Sequence, residues 1–145
     1  MKRHPALHPL SHDHHQGIIL AQQLKKGAPQ YKGMPSTLEE KKNYTISFYN
    51  NELIKHFEDE EKILFLLAKN RSPEIDVMIT EIVDEHRKME NLVNEIQETN
   101  DLENLLNELG WLLEKHIRKE ERELFPAIEK LLTEGELSEL KTKLK

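Results

Sequence analysis

The chain has 145 residues, 37% hydrophobic and 33% charged, with a formal net charge of -6. That length suits one domain with a true core, and the acidic balance argues against nucleic acid as a partner, because phosphate contacts need a basic face. There is no cysteine, which excludes disulfides, thiolate zinc sites and iron–sulfur clusters, and 5 Gly with 6 Pro is too few for a turn-rich all-β fold.

The first ten residues, MKRHPALHPL, follow two basic residues with His and Pro rather than an apolar run. They are expected to form an N-terminal arm and not a signal peptide. No apolar stretch approaches the ~20 residues of a membrane span. A soluble cytoplasmic protein with no membrane partner is the expectation.

Four segments carry helical periodicity. The first is predicted from about Ser11 to Lys26. GAPQYKGMPS, residues 27–36, is a loop. Ser36 with Glu39 predicts a capping box opening a second helix, which runs to about Lys69. Ser72–Pro73 reads as an N-cap followed by Pro at the first helical position, and the third helix runs to about Glu98. Asn100 with Glu103 predicts another capping box. The fourth helix reaches about Thr133, kinked at Pro126 and ended by Gly135. A short tail helix is expected over 136–145. Short connections favour antiparallel neighbours, so the predicted fold is all-α: an up-down-up-down four-helix bundle forming one domain over 1–145.

The apolar stripes of these helices are interrupted by polar residues at matched depth. In the third helix Ile75, Ile79, Ile82, His86, Met89, Val93 and Ile96 recur at spacings of four and three, with His86 in the middle. The fourth has Leu102, Leu105, Leu109, Leu112, His116, Glu120, Leu124, Ile128 and Leu131. The second has Ile46, Tyr49, Leu53, His56, Glu60, Ile63 and Leu67. In the first, Leu10, Gly17, Ile18, Ala21 and Leu24 mark the inner side. His14 falls on that side, His15 on its flank and His12 away from it. His4, His8, His12 and His15 are expected in a flexible, solvated segment.

Four inward histidines and two inward glutamates result, with no Lys or Arg on the inner stripes. An unpaired buried carboxylate costs several kcal/mol, so such groups are paired or bound to metal. Six side chains are too many for one tetrahedral zinc. Two ions sharing carboxylates use them better, and mixed nitrogen and oxygen ligation inside helices fits a di-iron site. Ferritin-like proteins place Glu three residues before His. Here those positions are Leu53, Val83 and Leu113, which excludes that class.

LSHDHH at His14, HFEDEEKILF at His56 and Glu60, EHRKME at His86 and HIRKEERELFP at His116 and Glu120 together resemble the hemerythrin-like, HHE cation-binding domain family. The resemblance covers nearly the whole chain. It implies two non-haem iron ions in a four-helix bundle, with Glu60 and Glu120 as bridging carboxylates. Zinc or manganese is the expected substitute for iron at such a site. The oxygen carriers of that family have a second His on the third helix and HxxxxD on the fourth. Here Ile82 and Glu90 flank His86 at four residues, and Glu121 stands at the fifth position after His116. Glu90, Glu121, His12 and His15 are therefore further ligand candidates.

Glu58, Asp59, Glu61, Glu85 and Glu123 are expected on the solvated face or behind the ligands, holding a histidine in its working tautomer. Phe57, Phe65, Trp111 and Phe125 are expected in the core or a pocket wall. The resemblance implies binding or sensing of oxygen, nitric oxide or iron. A di-iron enzyme acting on peroxide or oxygen, or repairing iron centres, is the alternative. A metal-free interaction module is the third reading. No substrate and no protein partner can be read from the residues.

Overall fold

The computed structural model describes residues 2–30 and 32–144, and the described residues form helices and loops without strands. Met1 of the expected arm, Tyr31 of the expected loop and Lys145 of the expected tail helix lie outside the described residues. A 3-10 turn, Pro5–Leu7, leads into α1, His8–Leu24. A second helix, α2, spans 38–68, then α3 spans Pro73–Ile96, α4 spans 102–131 and α5 spans Glu134–Lys143. Among the described residues no helix is long and apolar enough to cross a membrane.

Several boundaries differ from the sequence expectation. The first helix begins at His8, so His8 and His12 belong to it, and Ala6 and Leu7 are fully buried rather than part of a solvated arm. The cap of α2 is Thr37, whose hydroxyl accepts from the Glu40 N–H while the Glu40 carboxylate accepts from the Thr37 N–H. Glu40 also accepts from Ser36, so the shifted box still satisfies both residues. Ser72 and Pro73 open α3 as expected. Asp101 rather than Asn100 precedes α4, with no side-chain cap. Gly135 does not end α4. Leu132 turns to an extended conformation, and Thr133 with Glu136 caps α5, which contains Gly135 in its first turn.

Three turns inside α2 and α4 widen to π geometry: Tyr49–Leu53, Glu60–Leu64 and Glu120–Leu124. In each, the N–H of the next residue along the chain reaches back five positions, from Ile54 to Tyr49, Phe65 to Glu60 and Phe125 to Glu120. A π turn inserts one residue and rotates the remainder of its helix. This accounts for a difference in α2: Leu64 and Ala68 are buried, whereas Ile63 and Leu67, expected inside, are only partly so. In α4 the missing N–H of Pro126 falls immediately after the widened turn, which takes the place of the expected interruption.

The core is divided in two by a polar layer. One cluster joins Leu10, Leu64, Phe65, Ile75, Ile82, Leu124 and Phe125 with Leu137 and Leu140 of α5. The other joins Leu20, Leu24, Leu53, Phe57, Met89, Ile96, Leu106, Leu113 and Ile117. Between them lie His14, His56, Glu60, His86, His116 and Glu120, all buried. Trp111, expected inside, is 55% exposed, with the Lys25 ammonium 3.8 Å from its ring centre.

Close approach of α1 and α4 depends on two glycines. A Cβ on Gly110 would lie 2.8 Å from the Ala21 carbonyl oxygen, and one on Gly17 would lie 2.8 Å from Ile117 Cδ1.

Candidate metal centre

Each of the four main helices contributes one imidazole to the polar layer, and α2 and α4 add one carboxylate apiece, at the first residue of a π turn. The side chains meet through their inner atoms. Glu60 Oε2 lies 3.5 Å from His56 Nε2, and Glu60 Oε1 lies 3.1 Å from His86 Nε2. Glu120 Oε1 lies 3.2 Å from His14 Nε2 and 3.0 Å from His116 Nε2. Two groups can each hold an ion: His14, His56, Glu60 and Glu120, and then Glu60, His86 and His116, with the ligand atoms of each group within 4.8 Å of one another. Glu60 belongs to both, and Glu120 stands between His14 and His116.

The outer edge of each imidazole is held by a carboxylate. His56 Nδ1 donates to Asp13 at 3.0 Å, His86 Nδ1 to Glu61 at 2.6 Å, His116 Nδ1 to Glu85 at 2.8 Å and His14 Nδ1 to Glu121 at 2.6 Å. The pairs form a closed ring: α1 supplies the acid for α2, α2 for α3, α3 for α4, and α4 for α1. Each acid is the sequence neighbour of an inward residue on its own helix, as in Asp13–His14, Glu60–Glu61, Glu85–His86 and Glu120–Glu121. An acid on Nδ1 fixes the tautomer that turns the Nε2 lone pair inward, the arrangement a metal ligand needs.

Which histidine each of these acids holds does not follow from the sequence, and neither does the part taken by Asp13. The usable signal was an acid beside one inward ligand on each of the four helices. Glu121, a ligand candidate by spacing, holds His14 from behind. Glu90 lies near the Tyr49 hydroxyl, at 3.4 Å, and His12 and His15 are exposed on α1, so none of these joins the two groups. Glu58 and Glu123 are exposed, and Asp59 pairs with Lys55.

Electrostatics expose the cost of this layer. All four Nε2 atoms and both oxygens of Glu60 and Glu120 are buried without a hydrogen-bond partner, a condition that costs up to several kcal/mol per group. Burial and the adjacent charge of Glu120 push the Glu60 carboxyl well above its ordinary range. Burial acts on Glu120 in the same sense, but the charge of His116 and the hydrogen bonds of Glu60, His116 and His14 together outweigh it and hold Glu120 well below that range. Burial alone would lower His14 and His116; the carboxylates facing them outweigh it and raise both to about 9. Burial, then the charge of His116, lowers His86 to about 2. A cation removes these conflicts together, since it needs ionised carboxylates and neutral imidazoles and supplies the missing partner to every orphaned atom. The residues present therefore fit a metal.

A cavity of about 20 Å³, enough for one water molecule, opens beside the layer and is lined by His14, His56, Phe57, Leu113, His116 and Ile117. Asp13, Gln16 and Glu52 also border it. Phe57 stacks on His86, with ring centres 3.9 Å apart.

A family model described as the hemerythrin HHE cation binding domain matches residues 6–128. No curated protein and no solved structure matches the chain. The matched span includes all six inward polar residues and their four outer acids. With a match over most of its length, the chain belongs to the hemerythrin HHE cation-binding domain family.

Proposed function

We propose that this chain is a non-haem di-iron protein that binds or senses a small diatomic molecule, oxygen or nitric oxide, with His14, His56, Glu60, His86, His116 and Glu120 as the metal ligands. The observation that carries this reading is the set of eight buried, partnerless ligand atoms arranged as two groups with a shared glutamate. One ion would be held by His14, His56, Glu60 and Glu120 and the other by Glu60, His86 and His116, so that Glu60 would serve both. Mixed nitrogen and oxygen ligation favours iron.

The protein's own part is to position and to exclude. The ring of outer acids turns the four Nε2 atoms inward. The two apolar clusters keep bulk water from both sides of the layer. The small cavity against His14, His56 and His116 admits a ligand of water or diatomic size. Two bound iron ions would supply redox chemistry and open coordination positions there.

The same reading takes the four main helices as an antiparallel up-down-up-down bundle. Its support is the alternation of halves in the two clusters: the first half of α1 and of α3 shares a cluster with the second half of α2 and of α4. The acid–histidine ring supports the same neighbour order.

Metal analysis of protein loaded with iron(II), then visible absorption with and without oxygen and with nitric oxide, tests the function. Iron loading with spectral changes on adding either gas supports it. An iron-loaded protein whose spectrum is indifferent to both gases contradicts it.

A further inference from the structure

Arg3 lies before the family match, which begins at residue 6, yet it reaches the metal layer's supports. Its Nη1 donates to Glu129 Oε1 at 2.8 Å, and its Nη2 donates to the backbone carbonyl of Glu121 at 2.6 Å and lies 3.4 Å from Glu121 Oε1. The side chain is only 17% exposed.

The carbonyl of Glu121 needs this donor for a reason written into α4. In an α-helix it would accept from the N–H of Phe125, four residues on. The π turn diverts that N–H to Glu120. The next residue, Pro126, has no N–H to give. The widened turn that carries Glu120 thus leaves the Glu121 carbonyl without an intrahelical partner, and Arg3 supplies one from outside the helix.

The contacts converge on His14. Glu121 Oε2 accepts from His14 Nδ1 at 2.6 Å and from the Ser11 hydroxyl at 2.7 Å. The Arg3 guanidinium lies 5.6 Å from the centre of the Phe125 ring, which stacks on His14 with ring centres 5.4 Å apart. Arg3 therefore touches both supports of one imidazole, its edge partner and its stacking partner. Arg87 and Lys119 stand comparably behind Glu61 and Glu85, which serve His86 and His116. Asp13 has no Lys or Arg within salt-bridge distance among the described residues.

We propose that Arg3 is a positioning residue of the metal centre: by fixing Glu121 and Phe125 it fixes His14, and so governs retention of the ion held by His14 and His56 rather than the one held by His86 and His116. The proposal rests on the ligand assignment above. Removing a hydrogen-bond partner behind a metal-ligating histidine typically weakens binding 10- to 100-fold. Lysine in place of arginine keeps the charge but cannot span Glu129 and Glu121 with one rigid fork.

The test is removal of iron by excess chelator from loaded wild type, Arg3→Ala, Arg3→Lys and Arg87→Ala, with imidazole nitrogen NMR on the metal-free proteins. Arg3→Ala, which leaves the Glu121–His14 bond but loosens its support, is expected to release half its iron up to about tenfold faster, with the other half at the wild-type rate. Arg3→Lys should fall between. Arg87→Ala should accelerate only the other half, so that combining it with Arg3→Ala accelerates both. Without metal, Arg3→Ala should shift the His14 ring signals and leave those of His86 in place. Uniform acceleration of both ions, with no selective shift at His14, would mean that Arg3 merely stabilises the fold, and overturns the proposal. Release and ring signals unchanged from wild type also overturn it. If wild type itself takes up no iron, the ligand assignment fails, and that result is separate from an NMR shift at His14.

Discussion

His14 and His116 carry much of the pH dependence of the site. An ordinary imidazole loses its proton near ~6.5, but the facing carboxylates hold both of these protonated up to about 9 in the metal-free chain. Their contribution to metal-free stability is fully present below the ordinary value and is lost as pH rises through about 9. Metal affinity runs the other way, because a cation must displace those protons. Loading at neutral pH should therefore release at least about two protons per chain, those of the two imidazoles together with any held by the raised Glu60 carboxyl, and the imidazole share should fade above pH 9. Calorimetric titration in buffers of different ionisation enthalpy measures it. The ligand assignment on α1 has its own test: His14→Ala should lower metal occupancy and His12→Ala should not, since His14 is buried against Glu120 and His12 is exposed. Metal analysis of the two variants decides. The inward direction of His14, His56, Glu60, His86, His116 and Glu120 was legible in the sequence from helical phase. The partners of Asp13, Glu61, Glu85 and Glu121 were not, because each acts on a histidine of another helix and a single helix's periodicity carries no such information.

At the scale of elements, the helices themselves arise from apolar periodicity, and their details arise from local hydrogen bonds that periodicity does not encode. Thr37 rather than Ser36 caps α2, and the Glu40 carboxylate accepts from the backbone N–H groups of both residues. The π turns at Glu60 and Glu120 could not be read from spacing, and the one in α2 moved the buried positions from Ile63 and Leu67 to Leu64 and Ala68. Trp111 sits on an exposed flank of α4 although its residue type suggested the core. The α1–α4 contact gives the clearest mechanical prediction. Gly110→Ala places a methyl 2.8 Å from the Ala21 carbonyl, so backbone must move apart. We expect a loss of about 1–3 kcal/mol in denaturant unfolding, the usual range for overpacking. An unchanged midpoint would show that α1 and α4 do not approach this closely.

For the whole molecule, the polar layer is a liability that a bound cation turns into stability. Without metal, six ionisable groups face one another between two apolar clusters. A cation bound only by the folded chain should raise stability by about 3–4 kcal/mol at several hundred times its dissociation constant. Glu60→Gln with Glu120→Gln should lose most of that gain and leave the metal-free protein no less stable, because two buried carboxylates are removed. Thermal unfolding of both proteins with and without iron reads the difference. The most direct measurement is the number of ions bound at saturation by folded protein, obtained by metal analysis after equilibrium dialysis against iron(II). Because two groups share Glu60, the account predicts two ions per chain, with neither bound tightly by the double glutamine variant. A single tight ion in wild type, or two in the variant, would contradict it.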